Sequence, residues 1–144
     1  WTDNGTSFTS STTAVSAYFS VIGTAPNQIG QIAFTVYAGG GPIGLSNMVS
    51  ASVIGPTGDG SIPAGTYPCA PGSTFVNAGT EALGAASSGQ TGGTCSIVVT
   101  SSAVNGGAIE GTFTASLIGI AGTGGSAPTD QTITAGTFSY TDAP

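Results

Sequence analysis

Ile109-Glu110-Gly111-Thr112-Phe113-Thr114-Ala115-Ser116-Leu117-Ile118 is the stretch that decides the fold. Ile109, Phe113, Ala115 and Leu117 alternate with Glu110, Thr112, Thr114 and Ser116. A period of two puts the apolar set on one face of a β-strand and the polar set on the other. Working outward, residues 132–140 read as the next strand. Ile133 falls out of phase with Phe138 and Tyr140, which predicts a β-bulge near Ala135-Gly136.

Upstream, residues 95–100 place Cys95, Ile97 and Val99 on one face. Residues 14–21 place Val15, Ala17, Phe19 and Val21 together, and residues 31–37 do the same for Ile32, Phe34 and Val36 before Gly39-Gly40-Gly41-Pro42 ends the run. Further strands are expected at 49–54 and 65–67. Residues 55–60, 78–93 and 121–129 read as Gly/Ser/Thr-rich connections. With 25 Gly and 8 Pro breaking the chain, no long 3.6-residue periodicity survives, and no substantial helix is expected. Short strands without βαβ units predict an all-β protein, an antiparallel β-sandwich of roughly seven to ten short strands. The 144 residues fit a single domain spanning 1–144, in which residues 1–11 are a candidate strand for exchange with a neighbouring subunit.

The chain contains no Lys, Arg or His, and its formal net charge is −6. Nucleic-acid binding draws on cationic side chains that release counterions, so DNA and RNA are not expected partners. The same argument removes polybasic attraction to anionic lipid. The carboxylates Asp3, Asp59, Glu81, Glu110, Asp130 and Asp142 are scattered along the sequence. No apolar run reaches the roughly 18 residues that cross a bilayer, so no membrane span is expected. Trp1-Thr2-Asp3-Asn4-Gly5 has neither a basic n-region nor an apolar h-region, so any leader lies outside these residues. A chain rich in Gly, Ala, Ser and Thr and free of tryptic sites is cheap to make and hard to digest, which fits an abundant exported protein; drift in composition is the plainer account. The recurring Val, Ile, Thr, Phe and Tyr argue against disorder.

Cys69 and Cys95 make an even count in a secretion-like sequence, which predicts one disulfide and an oxidising compartment, extracellular or at the cell surface. Two free buried thiols are the other reading.

Catalytic chemistry finds few footholds. Without His or Lys the common nucleophilic triads and dyads lack their base. Two cysteines with no His make a poor zinc set. Glu81 and Glu110 are the only Glu pair available for glycoside hydrolysis, and they read as solvated surface carboxylates. Gly58-Asp59-Gly60 reads as a turn rather than a calcium ligand. No catalytic, metal or cofactor residue is therefore assigned, and the chain is expected not to be an enzyme. Asn4-Gly5-Thr6 is a sequon that makes Asn4 a candidate glycosylation site. Among aromatics able to stack sugars, Tyr18, Tyr67 and Tyr140 are expected in the core or its rim. Tyr37 is a candidate platform, and Trp1 needs a groove in its own domain or a neighbouring one.

Four phrases recur in a recognisable order: Asn4-Gly5-Thr6-Ser7-Phe8, Ile62-Pro63-Ala64-Gly65-Thr66-Tyr67, Glu110-Gly111-Thr112-Phe113-Thr114-Ala115 and Thr132-Ile133-Thr134-Ala135-Gly136-Thr137-Phe138-Ser139. This order resembles a broad group of bacterial secreted or lipid-anchored β-sandwich domains of unassigned function. The resemblance implies a sandwich and export, and it carries no catalytic residues. The complete lack of Lys and Arg departs from the group's usual members.

The reading that joins these points is a non-enzymatic extracellular structural protein that assembles with copies of itself into a surface filament or coat, with Trp1 and Phe8 as candidate subunit contacts. The alternative is a cell-surface module binding glycan or another surface protein.

Overall fold

The computed structural model describes residues 2–3, 5–7, 10–38, 48–80, 84–102, 107–121 and 129–141. The strands in chain order are β1 (Thr2–Asp3), β2 (Thr6–Ser7), β3 (Ser10–Ile22), β4 (Ile29–Ala38), β5 (Met48–Ile54), β6 (Gly65–Pro68), β7 (Phe75–Thr80), β8 (Gly84–Ser87), β9 (Thr94–Ser102), β10 (Ala108–Ile120) and β11 (Gln131–Thr141). No helix occurs among the described residues. All strand pairings are antiparallel.

Two sheets result. The first runs β2-β1-β11-β10-β9-β6 and the second runs β3-β4-β5-β7-β8. β10 belongs to both: Ile109 to Ser116 pair with β9 on one side, while Ile118 to Ile120 pair with β8. Residues 88–93 loop out between β8 and β9, and this departure lets β8 turn into the second sheet while β9 stays in the first.

The deciding stretch behaves as its alternation predicts. Ile109, Phe113, Ala115 and Leu117 are buried, and Glu110, Thr112 and Thr114 are exposed. The predicted bulge is present: Phe113 faces Gly136 and Ala115 faces Ile133, so Thr114 opposes two residues, and Ala135 takes a left-handed φ of 51°. That single insertion restores Phe138 to the core face, where it is 8% exposed.

The two sheets meet through aromatic rings. Phe34 of β4 stacks on Phe138 of β11 at 4.9 Å and tilts against Phe113 of β10 at 5.7 Å. Geometries of this kind add to the burial of apolar area. Phe113 also lies over the glycine opposite it in the ladder: a Cβ on Gly136 would sit 2.6 Å from the Phe113 ring. Glycine is required there for the ring to reach the backbone. Ile32, Val49, Val53, Val76, Ile97 and Leu117 complete a core in which none exceeds 1% exposure.

One expectation is corrected here. Residues 78–93 read as a connection, yet β7 extends to Thr80 and β8 occupies Gly84–Ser87. Ala78 lies in the core at 0% exposure and pairs with Val49 and Ala86. These strands are set by long-range pairing with β5 and β10 rather than by local propensity, which Ala and Gly give only weakly.

Candidate functional site

The predicted disulfide is formed. Cys69 follows β6 and Cys95 lies in β9, with Cα atoms 4.9 Å apart and the Cys69 N–H donating to the Cys95 carbonyl at 3.0 Å. No cysteine is free. Of the other predicted positions, Trp1, Asn4, Phe8 and Glu81 lie outside the described residues, as does the side chain of Tyr37.

Glu110 stands on the solvent face of β10, where its Oε1 accepts a 3.3 Å hydrogen bond from the Ser139 hydroxyl. Asp59 closes a tight turn, accepting from the Ser61 N–H at 2.9 Å. The Ser61 side chain, then its backbone, hold the Asp59 carboxyl below its ordinary value. Both carboxylates are exposed and committed to local bonds. Among the described residues no group of three or more His, Cys, Asp or Glu converges.

Tyr67 and Tyr140 pack against the core, as expected. The Tyr67 hydroxyl donates to the Pro63 carbonyl at 2.7 Å, and burial pushes its pKa up. The Tyr140 hydroxyl donates to the Tyr18 carbonyl at 3.2 Å, tying β11 to β3 across the two sheets. Tyr18 itself departs from expectation. Ala17 and Phe19 turn to the core, so Tyr18 points outward and is 48% exposed.

Two surfaces stand out. The first is β3, the 13-residue edge of the second sheet, which pairs with β4 on one side and with no strand on the other among the described residues. Its sequence, SSTTAVSAYFSVI, has no charge and no proline. The large hydrophobic residues that the described structure leaves exposed, Tyr18, Val21 and Ile22, all lie on it. The first sheet ends differently. β6 is four residues long and closes on Pro68, and the two-residue β2 folds back on β1, which pairs with β11 of its own chain. Short strands and proline are common protections of a sheet edge, and β3 has neither; its ladder to β4 shifts register between Ser10 and Val15, so the regular part of this edge is Val15 to Ile22.

The second surface is the outer face of the β3-β4-β5-β7-β8 sheet. Its central strands turn small or polar side chains outward: Ala33 and Thr35, Ser50 and Ser52, then Asn77 and Ser87. Ser52 is only 2% exposed although it faces away from the core, because Gln31 lies over it and its Nε2 donates to the Ser52 Oγ at 3.3 Å. Larger residues border this floor and leave two depressions. A groove of about 190 Å³ lies between Tyr18 and Phe75. A larger cleft of about 570 Å³ lies between Phe75, the turn that follows Cys69 and the connection at 88–93. The sequence offered no signal for either depression, since each joins segments that only sheet pairing brings together.

A scan against protein-family models, a search of curated proteins and a search of solved structures each returned no significant match, so fold and surface chemistry are what bear on function.

Proposed function

We propose that this chain is a non-enzymatic, exported structural protein whose copies associate edge to edge through β3, giving the building block of an extracellular filament or coat. The supporting observation is the outer edge of β3, which pairs with no strand among the described residues, is uncharged and carries Tyr18, Val21 and Ile22 exposed. An unpaired strand edge offers a row of backbone donors and acceptors to another strand. One acceptor of β3, the Tyr18 carbonyl, is held by Tyr140, and the rest of that edge has no strand partner among the described residues. The edge of a second copy is a suitable partner. Two uncharged strands meet without like-charge repulsion, and the exposed hydrophobics of one lie beside those of the other. The disulfide and the resemblance to secreted sandwich domains support export.

The test is sedimentation velocity and negative-stain electron microscopy of the wild type beside Ser20→Lys and Tyr18→Lys. Oligomers or ordered arrays in the wild type, reduced to particles of 13.7 kDa in the lysine variants with unchanged circular dichroism, are expected. A wild type that stays monomeric at high concentration, or assembly that ignores both lysines, would sink the proposal.

A further inference from the structure

We infer that the outer face of the β3-β4-β5-β7-β8 sheet binds a neutral saccharide, seated in the cleft beside the disulfide and extending past Phe75 toward Tyr18. This goes beyond edge pairing and does not depend on it.

The cleft's volume of about 570 Å³ falls within the range of small-ligand sites. Its lining holds no ionisable side chain, since Cys69 is bonded to Cys95. An anionic ligand would find no cationic side chain in a chain without Lys, Arg or His, and a cationic ligand would find no carboxylate in the cleft. A neutral ligand is what remains.

The lining also rules on polarity. Phe75, Pro71 and the disulfide supply apolar surface, while Asn77, Gln90 and Thr91 supply amide and hydroxyl groups. A purely apolar ligand would strip water from those polar groups and give no hydrogen bond in return. A sugar ring has both parts that this lining matches: a C–H face for an aromatic ring and hydroxyls around its rim for amides.

Asn77 sharpens the point. Its Oδ1 is the buried side-chain polar atom that has no hydrogen-bond partner among the described residues. Neither nearby hydroxyl donates to it: the Ser87 hydroxyl accepts from the Gly89 N–H at 3.0 Å, and the Ser88 hydroxyl accepts from the Val76 N–H at 2.9 Å. Such an orphan acceptor is uncommon in a folded protein. A turn of the Asn77 amide toward the cleft would bring this acceptor within reach of a ligand hydroxyl.

Phe75 borders both the cleft and the groove that Tyr18 closes. The two depressions therefore lie end to end on one face, with an aromatic ring between them and another at the far end. That arrangement suits a chain of sugar units better than a single one.

The experiment is a 15N–1H NMR titration of the full chain with maltotriose, cellotriose, xylotriose and the N-acetylglucosamine trimer, with sialyllactose and the fully deacetylated glucosamine trimer as charged controls. At least one neutral trisaccharide should give saturable shifts centred on Phe75, Asn77 and Gln90, and both charged probes should bind at least tenfold more weakly. Gln90→Ala, at an exposed position that leaves the core untouched, should lower the affinity about fivefold, as the loss of one hydrogen bond does. Phe75→Leu should do the same or more while the spectrum stays dispersed. No saturable shift with any of the four neutral probes, shifts centred on another face, equal binding of a charged probe, or indifference to Gln90→Ala would each overturn the inference.

Discussion

Opening the Cys69–Cys95 bond offers the most quantitative test of how this fold is held. The bond joins residues separated by 26 positions, and between them the chain leaves the first sheet, forms β7 and β8 in the second, and returns as β9. On the loop-closure model a ring of that length restricts the unfolded chain by about 3.5 kcal/mol. A domain of ordinary stability has about 5–15 kcal/mol in total, so the loss is a large part of it. The matched perturbation is Cys69→Ala with Cys95→Ala, because Cys95 is only 9% exposed and serine would add a buried hydroxyl. Guanidinium titration followed by circular dichroism is the assay. With a slope near 4 kcal/mol per molar, typical for this denaturant, the midpoint should fall by roughly 0.9 M. β6 should fray first, since beyond the bond it is held by its ladder to β9 and by the Tyr67–Pro63 hydrogen bond. A midpoint within about 0.2 M of the parent would refute the loop-closure account and leave the bond a bystander.

Phe113→Ala should cost about 3–5 kcal/mol in the same titration, because the ring is 2% exposed and fills the space between Phe34 and Gly136; a loss under 1 kcal/mol would mean the core closes over the gap. Light scattering should rise as pH falls below about 4, where six carboxylates lose charge and no cationic side chain is present to keep the surface charged; a flat trace between neutral and acidic pH would contradict this. Added salt should strengthen association at neutral pH by screening like charges, opposite in sign to an interface built on ion pairs. Asp59 has a depressed pKa in the folded state, so its contribution is present above the unfolded value of 3.8 and is lost as pH falls through the folded one. Asp59→Ala should accordingly flatten the acid limb of the stability–pH curve, and an unchanged limb would dismiss the Ser61 contacts as its source.

The strands legible in the sequence were those with one wet and one dry face. β10 could be read residue by residue because Thr and Glu alternate with Ile, Phe and Leu. The bulge could be read because Ile133 and Phe138 could not otherwise share a face. β7 and β8 were opaque for a physical reason: Ala78, Ala85 and Ala86 are small on either face, so no alternation marks them, and pairing with β5 and β10 decides their state. Alternation puts Ala17, Phe19 and Val21 on one face but cannot say that β3 lies at an edge, and there Val21 is 47% exposed despite sharing the face of Ala17 and Phe19, as Tyr18 and Ile22 are exposed beside it. The cleft was further out of reach, since it needs the turn after Cys69, the connection at 88–93 and strand β7 to come together.

The lack of cations links both proposed surfaces. A protein with arginine and lysine can recognise partners through charge at long range, and it can guard its sheet edges with lysine. This chain can do neither. What remains for recognition is short-ranged: backbone donors and acceptors along a strand, aromatic faces, amides and hydroxyls. The edge of β3, without a strand partner among the described residues, presents the first of these, and the face from Tyr18 past Phe75 to Gln90 presents the others. Both surfaces meet on β3, because Tyr18 stands at the edge strand and also closes the groove. A second copy paired along β3 would therefore bring the two groove ends together, and assembly would align the saccharide sites of neighbouring copies in one layer. Edge pairing would then supply more than cohesion: it would turn a single uncharged site into a repeated one, and repetition raises avidity without any new contact.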